Sequence, residues 1–320
     1  MKYSTYKSCN TTEDLKELNP NFVTGFCDAE SSFNLIISKN DKQLSGWSVK
    51  LAFSIHLHKK DVSVLYLIQK FFDAGNITIY GNKAMYQVVK RTDILKIIKH
   101  FDTYTLKTKK YKDYLLFKQA FFLILDKKHL TKDGLLQIVS IRSSLNKGLP
   151  ERLNTFFPNI LPTELSKTLV VNTNTVPSMS SVAMKYWFSG FVSGEGCFFV
   201  KISKSNTHSL GKSIALNFFV VQSKIDRDLL QLFSVILGCG SYSETNNSNV
   251  GTFSVWGYKN IIEYVIPFFE KYPVLGVKHH DFNDFKQVSL LIKDKAHLTK
   301  EGLDQIILIK NNMNRKRDNV

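Results

Sequence analysis

Apolar and polar residues alternate along four segments of the chain, a pattern typical of β-strands with one buried face. The apolar positions predicted to face a core are Phe33, Leu35, Ile37, Val49, Leu51, Phe53 and Ile55 early in the chain, and Phe198, Val200, Ile202, Leu216, Phe218 and Val220 later. Each pair of segments predicts a hairpin, with helices before and after it. The order helix, hairpin, helix, hairpin and closing helices occurs twice, so we predict an α+β fold.

The chain also repeats its own sequence once. GFCDAE at 25–30 returns as GFVSGE at 190–195, FKQ at 117–119 returns at 285–287, and HLTKDGL at 129–135 returns as HLTKEGL at 297–303. The distance between the two copies of a block is three residues longer for the two later blocks than for the first block. This difference predicts a three-residue loop insertion in the second copy. We therefore expect two related halves, 15–155 and 183–314, joined by a linker at 156–182, within which the stretch from Lys167 to Ser181 is polar and lacks apolar periodicity.

The charge of the chain narrows the class of partner. Its 320 residues include 43 Lys and Arg against 27 Asp and Glu, a net charge of +16, so a polyanion such as nucleic acid is favoured. The four cysteines lie far apart, without the paired spacing of a zinc or redox site. No apolar run reaches the roughly 18 residues that span a membrane, and we expect neither membrane contact nor a targeting peptide.

The outward faces of the predicted strands are candidates for contact with DNA, because strands in the major groove read base edges with polar side chains. A merely solvated face is the simpler interpretation of any one antiparallel sheet, but two such faces on so basic a chain favour DNA binding. The candidates in the first half are Ser32, Asn34, Ile36, Ser38, Asn40, Ser48, Lys50, Ser54, His56, Thr78, Tyr80 and Gln87. Those in the second half are Cys197, Phe199, Lys201, Ser203, Asn217, Phe219, Val221, Ser241, Ser243 and Trp256.

Each half opens with an apolar helix that carries small residues four positions apart, which are Gly25 with Ala29 and Gly190 with Gly194. Such a stripe lets two helix backbones approach closely. If the two helices pack through these stripes, Glu30 and Glu195 end side by side. Two adjacent carboxylates at helix C-termini repel each other and oppose the helix dipoles, so the arrangement needs a compensating charge.

A divalent cation would supply that charge. Mg²⁺ prefers carboxylate, carbonyl and phosphate oxygens as ligands. We therefore predict a metal site formed by Glu30, Glu195 and the main-chain carbonyl groups of Ala29 and Gly194. A metal held between paired acids against a phosphodiester is suited to metal-assisted hydrolysis.

The stretches VTGFCDAES at 23–31 and FSGFVSGEG at 188–196 resemble the two signature helices of single-chain LAGLIDADG homing endonucleases of the fungal mitochondrial intron-encoded type. The resemblance implies two pseudo-symmetric αββαββα halves that form a DNA-binding saddle of antiparallel sheets, with the signature helices at their interface. It also implies that Glu30 and Glu195 are the metal-binding acids.

The resemblance further implies polar or basic residues around the scissile phosphates. Gln222 matches a glutamine frequent in the family, although Leu57 stands at the equivalent position of the first half. Lys90 and Lys259, near the ends of the fourth strands, are our candidates for charge stabilisation.

The ninth signature position differs between the two copies, since it is Gly196 in the second and Ser31 in the first. If this position requires a positive φ, Ser31 carries about 1 kcal/mol of strain.

The function implied is site-specific cleavage of both strands of a non-palindromic DNA target of about 20 bp. Mg²⁺ is the expected cofactor, with Mn²⁺ as a substitute and Ca²⁺ binding without supporting cleavage. An RNA maturase that assists splicing of its host group I intron is the alternative, with the chain's own intron RNA as partner, and a DNA-binding regulator without chemistry is a third hypothesis. The resemblance also implies a monomer that is encoded and made in the mitochondrion.

Overall fold

The computed structural model of the protein describes residues 17–165, 178, 180–245, 248–314 and 317. The elements of the N-terminal lobe are α1 Pro20–Glu30, β1 Ser31–Lys39, β2 Trp47–His58, α2 Val62–Phe72, β3 Asn76–Tyr80, β4 Lys83–Val88, α3 Arg91–Thr103, α4 Lys110–Leu125, α5 Lys132–Ser144 and α6 Glu151–Phe156. Among the residues that the structure describes in both lobes, no helix is both long and apolar enough to cross a bilayer.

The C-terminal lobe repeats this order. Its elements are α7 Val182–Glu195, β5 Gly196–Lys204, β6 Lys212–Ser223, α8 Arg227–Leu237, β7 Ser241–Glu244, β8 Val250–Trp256, α9 Tyr258–Asn260, a π-helical turn Ile261–Val265, α10 Ile266–Lys271, α11 Val277–Lys293 and α12 Lys300–Asn311. Short 3-10 turns follow β2 at Lys59–Asp61 and β6 at Lys224–Asp226. The predicted α+β class with two related halves is confirmed.

Each lobe contains one four-stranded antiparallel sheet, with strand order β1-β2-β4-β3 in the N-terminal lobe and β5-β6-β8-β7 in the C-terminal lobe. Phe33 pairs with Phe53, and the equivalent Phe198 pairs with Phe218. Because side chains alternate between the two faces of a strand, this register places every apolar position predicted to be inward on one face. All of them are buried or packed against the core of their lobe, as predicted.

The same cluster of aromatic rings joins sheet to helices in both lobes. The ring centroid of Phe33 lies 5.3 to 5.6 Å from those of Phe53, Phe101, Tyr114 and Phe117. The ring centroid of Phe198 lies 5.2 to 5.5 Å from those of Phe218, Phe269, Phe282 and Phe285. Such ring pairs each contribute about 0.5 to 1.5 kcal/mol beyond the area that they bury. The repeat in sequence is therefore also a repeat in packing.

The three extra residues of the second copy are divided between two places. The strand pairs Ile77 with Tyr86 and Tyr242 with Phe253 are equivalent in the two lobes, and the stretch between the paired positions is longer by two in the β7–β8 hairpin. The third is taken up by the π-helical turn Ile261–Val265, whereas α3 is an uninterrupted α-helix. One inserted residue is the usual origin of such a turn. The prediction of a single three-residue loop insertion is thereby corrected.

The predicted linker begins with residues that pack on the N-terminal lobe. The ring of Trp47 lies 5.2 Å from that of Phe156 and 5.1 Å from that of Phe157, and Leu165 also contacts this core. Residues 166–177 and 179 of the linker, and residues 15 and 16 of the first half, lie outside the described residues. Helix α7 begins at Val182, one residue before the predicted start of the second half.

The lobes meet along α1 and α7. A Cβ on Gly25 would overlap the carbonyl oxygen of Trp187, and a Cβ on Gly190 would overlap that of Phe22. These two contacts are equivalent in the sequence repeat. The prediction that the helices pack through stripes of small residues is therefore confirmed.

One hydrogen bond across this interface breaks the symmetry. Trp187 Nε1 donates to Asp28 Oδ2 at 2.8 Å, and both residues are buried. The residues equivalent to Trp187 and Asp28 are Phe22 and Ser193, which offer neither an indole donor nor a carboxylate. The repeat relates two lobe-to-lobe residue pairs, Trp187 with Asp28 and Phe22 with Ser193, and only the first pair forms this hydrogen bond.

Candidate active site

Glu30 and Glu195 are the last residues of α1 and α7, and the packing of these helices brings them together at one end of the interface. A Cβ on Gly194 would lie 2.8 Å from Glu30 Oε1, so the backbone of α7 runs directly against the Glu30 side chain. The negative charge of Glu195 also acts on Glu30. The two acids thus lie together, as the small-residue stripes predict.

Their surroundings make both acids easier to protonate. Burial raises the pKa of both carboxyl groups, and the charge of Glu195 helps to raise the pKa of Glu30 to about 7. The ammonium groups of Lys110 and Lys278 oppose this rise at both acids. Gln222 Nε2 donates to Glu195 Oε1 at 3.4 Å, which also favours the charged form. A cation bound here would therefore displace a proton near neutral pH.

Each helix passes directly into a strand without unusual backbone geometry. The φ angles are −84° at Ser31 and −74° at Gly196, so the ninth signature position does not require a positive φ and the expected strain at Ser31 is absent. Ser31 Oγ instead donates to Cys27 O at 2.6 Å, which satisfies a carbonyl group at the helix end. Gly196 is needed for space, because a Cβ there would lie against Val192.

Lys110 and Lys278 bring positive charge to the acids, and neither lysine was predicted from the sequence. Lys110 begins α4, and its Nζ donates to Ala29 O at 2.9 Å and to Cys27 O at 3.2 Å. Lys278 is the second residue of α11, and its Nζ donates to Gly196 O. The sequence holds one signal that would have found them: the register of the late repeat blocks, extended back from FKQ, relates one lysine to the other.

Lys90 and Lys259, the lysines predicted for charge stabilisation, lie elsewhere. Since β4 runs antiparallel to β2 and Val88 pairs with Phe53, Lys90 lies about 13 Å along the sheet from the strand position nearest Glu30. Lys259 lies in α9, where its Nζ is 4.0 Å from a carboxylate oxygen of Glu263. This prediction is corrected: strand direction carries the ends of the fourth strands away from the acids.

A cavity lies beside the lysine of each lobe. The one beside Lys278 has a volume of about 340 Å³ and is lined by Glu30, Leu57, Asp61 and Cys197, among others. Its counterpart beside Lys110 has a volume of about 510 Å³, and Ser32 is in its lining. Leu57, which the sequence repeat relates to Gln222, lines the same cavity as Glu30, whereas Gln222 donates to Glu195. The polar surroundings of the two acids are therefore asymmetric, as the sequence predicts.

The donor atoms at the ends of α1 and α7 fit a hard divalent cation. Two partly buried carboxylates with raised pKa values lie together, and the carbonyl group of Ala29 already binds an ammonium group. Among the described residues, no group of three or more His, Cys, Asp or Glu side chains is placed to hold a metal. A cation at this site would therefore depend on Glu30, Glu195, the carbonyl groups of Ala29 and Gly194, and oxygens of the substrate.

In the N-terminal lobe, strand register places nearly all predicted DNA contacts on the outer face of the sheet. Those on this face are Ser32, Asn34, Ile36, Ser38, Ser48, Lys50, Ser54, His56, Thr78, Tyr80 and Gln87. Ser54 is only 1% exposed because Asn34 covers it, with Asn34 Nδ2 donating to Ser54 Oγ at 3.1 Å. Asn40 lies beyond the end of β1, in the turn. Asn76 and Lys83 share the face and were missed.

In the C-terminal lobe, the outer face carries three aromatic side chains, Phe199, Phe219 and Trp256. The predicted residues on it are Cys197, Phe199, Lys201, Ser203, Asn217, Phe219, Val221, Ser241, Ser243 and Trp256. Phe199 and Trp256 flank Asn217 on the neighbouring strands, so Asn217 is only 4% exposed, and its Oδ1 has no hydrogen-bond partner among the described residues. As with Ser54, the face is as predicted but the exposure is not. Thr252 and Ser254 share this face and were missed.

The raised pKa of Glu30 predicts a pH-dependent cost to stability. A carboxyl group whose pKa is about 7 when folded, against 4.5 ordinarily, binds more protons in the folded state between those values, so stability rises as pH falls through this window. Glu30→Gln should therefore stabilise the metal-free protein by about 1 to 3 kcal/mol at pH 8, and by little near pH 5. Urea unfolding in EDTA at both pH values measures this. Glu263→Gln, at an exposed site, is the control, and a pH-independent gain would contradict the prediction.

The comparisons with known proteins match both lobes. A model of the LAGLIDADG endonuclease family matches residues 23–121 and 188–289. The chain is 38% identical over 305 residues to the probable intron-encoded endonuclease 2 of Neurospora crassa, covering 92% of this chain and 65% of that protein. It is 34% identical over 311 residues to the probable intron-encoded endonuclease 3 of the same fungus, covering 96% and 56%. The chain thus spans 56% to 65% of the length of these curated relatives.

Solved structures match almost the whole chain. The I-SmaMI LAGLIDADG homing endonuclease bound to cleaved DNA superposes with a TM-score of 0.87 at 36% identity, covering 94% of this chain and 98% of that one. I-SmaMI bound to an uncleaved DNA target in the presence of calcium ions gives 0.86 at 36% identity, covering 93% and 99%. The LAGLIDADG homing endonuclease I-GzeII in complex with its DNA target gives 0.84 at 36% identity, covering 94% and 100%.

Proposed function

Because this chain belongs to the LAGLIDADG endonuclease family, we propose that it is a site-specific homing endonuclease that cuts both strands of a long DNA target. The observation that carries the proposal is the meeting of Glu30 and Glu195 at the lobe interface, with Lys110 and Lys278 acting on both. Relatives named probable intron-encoded endonucleases, and a similar structure bound to cleaved DNA, support it.

Double-stranded DNA is the proposed partner. A net charge of +16 suits the phosphate backbone, and two sheet faces that each follow about one turn of major groove give a target of about 20 bp. The N-terminal face offers hydrogen-bonding groups such as Lys50 and His56, whereas the C-terminal face offers Phe199, Phe219 and Trp256. The two halves of the target should therefore differ, and the aromatic face suits thymine methyl groups or a bent site.

Mg²⁺ is the proposed cofactor, with Mn²⁺ as a substitute and Ca²⁺ binding without cleavage. When bound, a divalent cation lowers the pKa of a coordinated water and stabilises the leaving oxygen of the phosphodiester. Glu30 and Glu195 would hold it, aided by the carbonyl groups of Ala29 and Gly194. Lys110 and Lys278 place positive charge where the phosphate gains negative charge in the transition state, and Gln222 holds Glu195 in its orientation.

The other hypotheses fit these observations less well. An RNA maturase does not need two carboxylates held together at a cost in stability, and the relatives carry endonuclease names. A DNA-binding regulator needs neither the acids nor the lysines. We further propose that the chain acts as a monomer, since it contains both acids, and that it is made in the mitochondrion, because its fungal relatives are intron-encoded.

The choice of divalent cation tests the proposed function. The substrate is a duplex recovered from a randomised pool by binding to the protein in Ca²⁺. We expect cutting of both strands in Mg²⁺ or Mn²⁺ and binding without cutting in Ca²⁺. Binding in all three without cutting would support the regulator, and tighter binding to folded group I intron RNA than to any duplex would support the maturase.

The two lysines offer a direct test of the corrected assignment. Lys110→Met and Lys278→Met should each slow cutting of the selected duplex by about 100-fold, because an ammonium group beside the scissile phosphate is removed. Lys90→Met and Lys259→Met, the matched controls, should stay within about threefold, since surface substitutions away from a site have small effects. Single-turnover rates in Mg²⁺ measure all four. A larger loss of cutting rate in Lys90→Met and Lys259→Met would instead support these two lysines, predicted from the sequence, as the residues that stabilise charge.

A further inference from the structure

Two aspartates bond across the lobe interface to the segments that carry the active-site lysines. Asp61 lies in the 3-10 turn after β2, and its Oδ1 accepts from Val277 N, directly before the lysine of α11, at 2.7 Å. Asp226 lies in the equivalent turn after β6, and its Oδ1 accepts from Lys109 N, directly before the lysine of α4, at 2.7 Å. The two bonds are related by the sequence repeat, so each lobe reaches into the other in the same way.

These bonds satisfy backbone N–H groups at the starts of two helices whose preceding residues provide no side-chain cap, although Thr108 Oγ1 also accepts from Lys110 N in α4 at 3.2 Å. The first backbone N–H groups of a helix have no partner within it and are usually satisfied by the residue that precedes it. The residues that precede α4 and α11 are Lys109 and Gly276, and neither makes a capping side-chain hydrogen bond. Gly276 has a φ of 68°, and a Cβ there would overlap Asp61 Oδ1. Glycine thus leaves room for a carboxylate supplied by the opposite lobe.

The lysine segments differ in how much further support they have. In the N-terminal lobe, Asp28 accepts from the backbone of Lys107 at 2.8 Å and from Thr108 Oγ1 at 2.7 Å. In the C-terminal lobe, Ser193 stands in place of Asp28, and its Oγ accepts one bond, from Leu275 N at 3.1 Å. The lysine segment of the C-terminal lobe therefore depends more on the aspartate that reaches it from across the interface.

We propose that Asp61 and Asp226 are positioning residues, each of which holds the active-site lysine of the opposite lobe. The inference rests on the proposed nuclease function. Lobes related by a pseudo-twofold axis face opposite strands of a duplex, so each aspartate controls the cutting of a different strand. Each lysine is in place only while the two lobes are docked.

Strand-resolved cutting tests this arrangement. The selected duplex carries a different fluorophore on each strand, and single-turnover cutting is followed in Mg²⁺. Asp61→Ala should slow one strand by about 100-fold, as expected for a displaced catalytic group. Asp226→Ala should slow the other strand by about 10-fold, because Asp28 still supports that segment. Affinity for the duplex in Ca²⁺ should stay within about threefold of the wild type.

The matched variants Asp61→Asn and Asp226→Asn remove the same charge but keep an oxygen that accepts from the backbone N–H. Both should cut both strands within about fivefold of the wild type. Hydrogen exchange of metal-free protein gives a readout independent of activity. Peptides covering 275–280 should exchange faster in Asp61→Ala than in Asp61→Asn, and those covering 107–112 faster in Asp226→Ala than in Asp226→Asn. If Asp61→Ala unfolds, the comparison of Asp226→Ala with Asp226→Asn still tests the proposal.

The outcomes separate the two proposals. Equal slowing of both strands, asparagine variants as slow as alanine variants, or unchanged exchange would each overturn the positioning role. Wild-type protein that binds its selected duplex but cuts neither strand would overturn the proposed function instead. The exchange rates would then still decide whether the aspartates hold the lysine segments.

Discussion

Replacing Glu195 with glutamine is expected to slow double-strand cutting by at least about 1,000-fold. Glutamine keeps the shape of the side chain and an acceptor for Gln222 Nε2, now at 3.4 Å, but lacks the negative charge proposed to hold a divalent cation. Glu30→Gln should have the same effect, because both acids belong to one centre. The formation of linear product from a plasmid that carries the selected target measures the loss.

Binding and a matched control complete this test. Affinity for the target duplex in Ca²⁺ should remain within about threefold, because the sheet faces proposed to contact DNA are unchanged. Glu263→Gln removes an equal charge from an exposed site in the π-helical turn and should cut like the wild type. A Glu195→Gln protein that binds DNA poorly but still cuts both strands would contradict the assignment of the acids.

The second large effect is expected at the helix interface, where Gly190→Ala should lower the free energy of unfolding by about 3 kcal/mol or more. The added methyl group would overlap the carbonyl oxygen of Phe22, and the backbone of α1 cannot move away without separating the lobes. Gly25→Ala should be equally damaging, because its methyl group would meet the carbonyl oxygen of Trp187. Thermal melting and urea unfolding measure the loss.

Gly81→Ala is the control for these glycine variants. A Cβ there has no neighbour within 4 Å, and the φ angle is +57°, so only backbone strain of about 1 kcal/mol is expected. If Gly190→Ala melts at the same temperature as Gly81→Ala, the close approach of the two helices is not what holds the lobes together.

The paired acids and the contact between the two helices could be predicted because the residues that form them occur in both copies of the sequence repeat. One glutamate after a helix with small residues is unremarkable, but the recurrence of Gly25 and Glu30 as Gly190 and Glu195 is informative. Strand alternation likewise predicts which residues share a face. It does not predict which side chains cover others on that face, and for this reason the burial of Ser54 beneath Asn34 was not foreseen.

The lysines could not be predicted from local pattern. Lys110 lies far along the chain from the end of α1, and its hydrogen bond to the carbonyl group of Ala29 depends on how α4 packs back against that helix. Lys90 was a reasonable candidate only while the direction of β4 was unknown. The hydrogen bond from Val277 to Asp61 joins residues 216 positions apart, a distance at which neither periodicity nor composition carries information.

The hydrogen bond between Trp187 and Asp28 restricts which lobes can pair with each other. If two N-terminal lobes associated with each other, Phe22 would replace Trp187 and each buried Asp28 would lose its indole donor. If two C-terminal lobes associated, Ser193 would replace Asp28 and the indole would face a hydroxyl group. The hydrogen bond therefore favours pairing of one N-terminal lobe with one C-terminal lobe over pairing of two identical lobes. Chimaeric nucleases assembled from halves of different relatives must transfer the tryptophan and the aspartate as a unit.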